Sequence, residues 1–251
     1  MKASFLGHNE PLLTAMIQAA SPERAIELMQ LAHADGCDAF GVQPCHMSLE
    51  ARSFDTYRRI YDTAQGKPIY ITNYRTGTNN GRTDEELADE MLLMVKAGAT
   101  LCDVMGDYYC PTPGELTENA AAIEKQKQLI ERIHAAGAEV LMSSHVLKFT
   151  PAERVVEIAL AHQERGADIA KIVTFANSEA EELENLRINA LLKSELKIPY
   201  LYLSGGECRL HRRLGGMLGN CMVLCVQQYD ELATPAQPLL KKMQGILENF
   251  N

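Results

Sequence analysis

One local pattern constrains this chain more than any other. In HADGCDAFGV, VKAGATLCDVM, HAAGAEVLMSS and QERGADIAKIV, a helix-like segment ends in a small residue plus glycine, and a short β-rich run follows. Gly36, Gly98, Gly137 and Gly166 fit the position just past a helix end, where positive φ favours glycine. The runs behind them fit buried parallel strands. Strands are expected near 12–17, 38–43, 68–73, 100–105, 138–144, 168–175, 199–203 and 221–226, with helices near 22–35, 51–64, 84–97, 117–136, 151–165, 178–195, 209–217 and 235–249. Helix starts carry their own signals. Ser21-Pro22 and Thr150-Pro151 read as a cap followed by proline, with Glu153 at the capping-box position. Thr83-Asp84-Glu85-Glu86 and Thr117-Glu118 open acidic first turns, which suit the helix dipole. Eight strand–helix units in 251 residues predict an α/β chain, a single-domain (β/α)8 TIM barrel over residues 1–251. The runner-up, a doubly wound open sheet, needs a glycine-rich phosphate loop after the first strand, and MIQAASPER has none.

Composition narrows the partners. The formal net charge is −9 and no local basic patch stands out, which argues against a nucleic acid partner. No apolar stretch is long enough to span a bilayer. His8, Asn9, Glu10 and Pro11 interrupt what a signal peptide would keep apolar, so a cytosolic chain is expected. The seven cysteines (Cys37, Cys45, Cys102, Cys110, Cys208, Cys221 and Cys225) are scattered and never form CxxC, so they are expected reduced. No HxxxH or HExxH occurs either, and no metal site is expected.

In such a barrel, chemistry gathers at the C-terminal ends of the strands. The polar residues there are Thr72 and Arg75 in TNYR, Asp103 in strand 4, His145 ending strand 5 and Lys171 in strand 6. SGGECRLHRR follows strand 7, and ATPAQP lies beyond strand 8. Lys171 interrupts the apolar run of GADIAKIVTF and shares a strand face with Ile169 and Val173. A buried ammonium is costly unless it is neutralised or paired. One reading is therefore a salt bridge, with Asp103 as the candidate partner. The other is a nucleophile, because desolvation favours the free amine that attacks a carbonyl. His145 alone could be a hydrogen-bonded core or loop residue. One strand from such a lysine, it is suited to moving a proton on and off carbon. Together they favour Schiff-base chemistry.

The motifs VLMSSHVLKFTPAERVVEI and RGADIAKIVTFANSEAEELENL, in sequence and spacing, resemble the type I 3-dehydroquinate dehydratase family. The similarity extends over nearly the whole chain, through GCDAFGV, KPIYITNYR, LCDV, SGGECRLHRRLGGMLGN and ATPAQP. The resemblance implies a (β/α)8 barrel, an imine-forming lysine at Lys171 and a general acid/base histidine at His145. It also implies a carboxylate clamp of Arg212 and Gln237, joined by Arg75 if that residue rather than Tyr74 fills the third-strand position. Gln43 and Asp103 complete the implied substrate-binding set. No cofactor, no metal and a homodimer are expected.

The departures fall on one part of the site. The family's second strand reads Glu-Trp-Arg-x-Asp, and its glutamate and arginine bind substrate hydroxyls. Here Gly41, Gln43 and Cys45 stand at the Glu, Arg and Asp positions. Thr78, Asn79 or Asn80 stands where the family places a glutamate beside its histidine. Met105, Ala233 and Cys208 replace a glutamate, a serine and a glycine. The expectation is a dehydratase that keeps imine chemistry, has lost much hydroxyl recognition, and has lost the carboxylate partner of His145. A related cyclic keto acid is the close second substrate. The competing readings are a class I aldolase acting on a sugar phosphate, with Ser204-Gly205-Gly206 as a phosphate turn, and a non-catalytic ligand-binding relative.

Overall fold

The computed structural model describes residues 3–233 and 235–249. Strands β1 (Leu12–Gln18), β2 (Ala39–Gln43), β3 (Ile69–Ile71), β4 (Leu101–Met105), β5 (Glu139–His145), β6 (Ile169–Phe175), β7 (Tyr200–Gly205) and β8 (Met222–Cys225) alternate with helices. The helices are α1 (Pro22–Ala34), α2 (Phe54–Asp62), α3 (Asp84–Ala97), α4 (Ala120–Ala135), α5 (Ala152–Glu164), α6 (Glu179–Glu195), α7 (Leu210–Leu214) and α8 (Leu240–Leu247). From β1 to β7 each strand pairs in parallel with the next, and β1 also pairs with β8. Between β7 and β8 a side chain substitutes for the ladder. The Asn220 amide accepts from Tyr202 N at 2.9 Å and donates to Tyr202 O at 2.8 Å, while Cys221 N donates to Tyr200 O at 2.9 Å. The result is the nearly closed (β/α)8 barrel that the repeated glycine pattern predicts.

Strand alternation divides the core in two. Ile169 and Val173 join Leu12, Met16, Tyr70, Leu101, Leu141, Leu201 and Leu224 inside the barrel. Ala170 and Ile172 pack outward with Val155, Ile158, Ile188 and Leu192 of the helices. Lys171 is thus an interior residue. Phe5 plugs the opposite end against Tyr70, its backbone N donating to Glu139.

Gly36, Gly98, Gly137 and Gly166 all take positive φ, from 84° to 128°. The helix starts depart from expectation in three places. α2 begins at Phe54 rather than 51, because Ser53 is its cap. α4 begins at Ala120, capped by Asn119, and the Thr117 hydroxyl instead accepts from Asn119 N. α5 has Pro151 itself at the cap and no side-chain cap. Its Ala152 N donates to Glu184, and Glu153 pairs with Arg187 instead of closing a capping box. α7 and α8 are shorter than the expected 209–217 and 235–249. The cysteines are free thiols. Among the described residues, no helix is long and apolar enough to cross a membrane.

Candidate active site

Lys171 is 4% exposed, and its Nζ donates to Asp103 Oδ2 at 3.0 Å, Tyr70 Oη at 3.1 Å and Tyr74 Oη at 2.5 Å. The salt bridge to Asp103 expected from the sequence is thus present, at a lysine that also borders the cavity. Asp103 is 1% exposed, and protein donors take up its oxygens: Ser143 at Oδ1, and Tyr70, Tyr74 and Lys171 at Oδ2. Burial alone would raise its carboxyl. The Lys171 charge, helped by His145 and the Ser143 and Tyr70 hydroxyls, holds it below the ordinary carboxylate range. Asp103 thus lies against Lys171 as its counter-ion, not among the groups lining the cavity. Burial and the Asp103 charge push both phenols well above the ordinary tyrosine range, so they stay protonated donors.

His145 ends β5. Its Nδ1 lies 2.6 Å from Glu115 Oε2, and the same oxygen accepts from the His145 backbone N at 3.1 Å. The lost carboxylate partner expected from the sequence is thus present, supplied by the β4–α4 loop. A carboxylate only accepts, so Nδ1 carries the hydrogen and Nε2 is left to exchange protons. The loop is fixed from below. Ser144 Oγ donates to Glu115 O, and the Arg165 guanidinium donates to Thr117 O and Gly106 O. Gln126 donates to Gly106 O and Tyr108 O. Glu115 itself sits at φ 51°, a left-handed conformation that this anchoring sustains.

Thr78 and Asn79, at the family's glutamate position, serve other ends. Thr78 donates to Cys45 O and Met47 O. Asn79 is buried, accepts from Arg52 and Arg82, and donates to Tyr74 O at 2.7 Å. The Tyr74–Arg75 alternative is also resolved in space. Arg75 turns away and binds Asp84 through Nε and Nη2 at 2.7 and 2.8 Å, and Asp107 through Nη1 at 2.8 Å. Tyr74 faces the cavity, with its ring edge-on to His145 at 5.1 Å between centroids.

A cavity of about 140 Å³ brings together Lys171, His145, Tyr74, Thr72, Gln43, Arg212 and Gln237 over an apolar wall of Met16, Val173, Leu203 and Leu224. Arg212 forms no ion pair among the described residues, and its Nε is shielded without a partner. Burial, with Arg213 beside it, lowers its guanidinium to about 10. Gln237 Oε1 and Thr72 Oγ1 are likewise buried without a partner. Arg213 donates to Pro235 O and Ala236 O, pinning the closing loop next to Gln237. Gln43 is occupied within the protein, accepting from Gln18 and donating to Cys45 Sγ. A Cβ at Gly41 would stand 2.2 Å from Met16 Sδ and 3.2 Å from Tyr70 Cδ1. The Met16 thioether has taken the space that a second-strand side chain would need.

Sequence reasoning missed Glu115, Met16 and Tyr70. The one available signal for Glu115 was an acid next to Gly114 in a turn-rich loop at the active end of the barrel.

The model of the family described as type I 3-dehydroquinase matches residues 14–251. A 3-dehydroquinate dehydratase of Methanosarcina barkeri is 25% identical over 243 residues, covering 93% of this chain and 94% of the other. One from Klebsiella pneumoniae is 27% identical over 187 residues, covering 72% and 68%. Among solved structures, a type I 3-dehydroquinate dehydratase from Clostridium difficile with covalently modified comenic acid superposes with a TM-score of 0.80 at 17% identity, over 97% of this chain and 94% of that one. The Enterococcus faecalis enzyme gives 0.77 at 18% over 99% of each. At these identities the superpositions speak for the fold.

Proposed function

Since this chain belongs to the type I 3-dehydroquinase family, we propose that it dehydrates 3-dehydroquinate to 3-dehydroshikimate through an imine on Lys171. Loss of water makes the reaction that of a carbon–oxygen lyase, and its Methanosarcina and Klebsiella relatives are named 3-dehydroquinate dehydratases. The observation that carries the reading is the shared cavity: a buried amine hydrogen-bonded to Asp103 and Tyr74, and a histidine backed by a carboxylate.

Lys171 condenses with the substrate ketone, releasing water. The protonated imine withdraws electrons from the adjacent carbon, and His145 Nε2 takes the acidified proton to leave an enamine. The enamine electrons then expel the β-hydroxyl, protonated by the same His145, and water departs. Hydrolysis of the conjugated imine frees the product and restores the amine. Glu115 stabilises the imidazolium that exists between the two proton transfers and keeps Nδ1 protonated. Arg212 presents an unpaired Nε donor to the substrate carboxylate, its guanidinium suited to a bidentate contact, and the Gln237 amide lies beside it in the same cavity. Arg75, committed to Asp84 and Asp107, is left out of this clamp.

A second substrate, another cyclic keto acid with fewer hydroxyls, draws support from Gly41, Met16 and the internally satisfied Gln43. A sugar-phosphate aldolase draws little. The Ser204-Gly205-Gly206 turn is packed shut, and a Cβ on Gly206 would stand 2.5 Å from Asn177 Oδ1 and 2.6 Å from Ala176 O. With the reduced, unpaired thiols, the reading carries with it a cytosolic homodimer serving the shikimate pathway in aromatic amino acid biosynthesis. Incubation with 3-dehydroquinate tests the reaction, since a conjugated enone product absorbs in the ultraviolet and the substrate does not. Growth of that absorbance, lost in Lys171→Met, is expected; its absence together with turnover of a less hydroxylated ring would favour the second substrate.

A further inference from the structure

Imine formation needs more than a nucleophile and a ketone. An ammonium and a carbonyl must exchange two protons on the way to a protonated imine and water, and both travel from nitrogen to oxygen. The first leaves the ammonium and reaches the ketone oxygen as the C–N bond forms. The second leaves the carbinolamine nitrogen and reaches the hydroxyl oxygen. The C–O bond then breaks with its electrons, the nitrogen lone pair closes the C=N bond, and water departs. No net proton is consumed. What the site must supply is one group in contact with Nζ and open to the cavity where the oxygen lies.

Tyr74 meets both requirements. Its Oη is 2.5 Å from Lys171 Nζ, and the residue lines the cavity. Tyr70 meets only the first: its Oη is 3.1 Å from Nζ, but the side chain is fully buried beneath and does not line the cavity. Tyr74 is also held in place. Asn79 Nδ2 donates to its carbonyl at 2.7 Å, and Asn79 is itself gripped by Arg52 and Arg82. With three hydrogens on Nζ, the phenol accepts from the ammonium and donates to Asp103 Oδ2 at 2.5 Å. A turn about the Cζ–Oη bond redirects that O–H from Asp103 to the cavity.

Resting on the reading that Lys171 forms an imine, we propose that Tyr74 is a catalytic residue, the proton relay between Lys171 Nζ and the departing oxygen. In each transfer the phenol oxygen takes a proton from nitrogen as its own passes to the substrate oxygen. Phenolate therefore never accumulates, and a phenol pushed far above its ordinary range by burial and Asp103 suits the role. His145, tied to Glu115, is thereby left for the carbon and β-hydroxyl steps.

The test is the rate of borohydride trapping at Lys171, read by peptide mass, with 3-dehydroquinate and separately with acetoacetate, in wild type, Tyr74→Phe and Tyr70→Phe. Phenylalanine preserves the ring against His145, and circular dichroism confirms folding. Tyr74→Phe is expected to slow trapping of either ketone on the order of 10²-fold, within the range of a general acid/base. A solvent deuterium effect present in wild type should vanish with it, and Tyr70→Phe should slow trapping less than tenfold. Equal trapping rates in wild type and Tyr74→Phe would overturn the relay, as would equal losses in the two tyrosine variants. Trapping of acetoacetate but not 3-dehydroquinate would sink the proposed substrate while still deciding the role of Tyr74. No adduct from either ketone would refute the imine and the relay together.

Discussion

Glu115 Oε2 lies 2.6 Å from His145 Nδ1, although thirty residues separate the two in sequence. The pairing comes from a loop after β4, not from the segment after β3 where Thr78, Asn79 and Asn80 stand. The histidine keeps a carboxylate, delivered from a different strand end. Glu115→Gln removes that charge and permits the wrong tautomer. It should lower kcat on the order of 10²-fold with little change in KM, since the imidazolium it stabilises exists only during turnover. Steady-state kinetics decide; an unchanged kcat would mean that Glu115 only packs against the ring.

Asp103 predicts a pH signature. Its carboxyl is held below the ordinary range in the folded chain, chiefly by Lys171 acting against burial. The unfolded chain therefore binds that proton more readily. The resulting stability is fully present above the unfolded value, about pH 4, and is lost as pH falls through the lower folded value. Asp103→Asn strands the Lys171 ammonium and should cost about 3–5 kcal/mol at pH 7. In urea titrations the gap to wild type should narrow below about pH 4; a constant gap down to acid unfolding would contradict the pair.

Arg212 predicts a trade between stability and binding. Its guanidinium is crowded by burial and by Arg213, without an acidic partner among the described residues. Arg212→Met should raise the Tm of the free protein or leave it unchanged, and raise KM for the keto acid about 10- to 100-fold. A falling Tm with unaltered KM would place Arg212 in the scaffold instead.

Arg75 predicts the reverse pattern. It bridges buried Asp84 and Asp107, outside the cavity. Arg75→Met should lower stability by about 2 kcal/mol and leave kcat and KM near wild type. A loss of substrate affinity at unchanged stability would return it to the carboxylate clamp.

Gly41 and Met16 should couple. Gly41→Ala forces a methyl onto Met16 Sδ and should destabilise by about 1–3 kcal/mol, and Met16→Ala in the same chain should recover most of it. Chemical denaturation of the two single variants and the double variant measures this. Simple additivity would show that the thioether is not what keeps position 41 bare.

The sequence made the barrel readable because its punctuation is local. A glycine after four of the helices and an apolar run after each such glycine are decided within a dozen residues, and the strands fall within a few residues of expectation. Lys171 was legible for the same reason, as a charge against its immediate background. Glu115 was not: nothing near GELTEN says that its side chain meets a histidine on β5, and only the anchoring by Ser144 and Arg165 makes the contact. Tyr74 and Arg75 are adjacent at the end of β3, where the regular strand stops, so alternation could not decide which faces inward. Asp84 and Asp107 settle it by drawing the arginine out. Gly41 read as a missing glutamate, and only the packing showed Met16 in its place.

The central claim is a covalent bond between Lys171 and a substrate ketone, and borohydride reduction during incubation with 3-dehydroquinate tests it most directly. Peptide mapping should find one reduced adduct, on Lys171, absent from Lys171→Met. Turnover of 3-dehydroquinate with no adduct on Lys171, or an adduct on another lysine, would contradict the account.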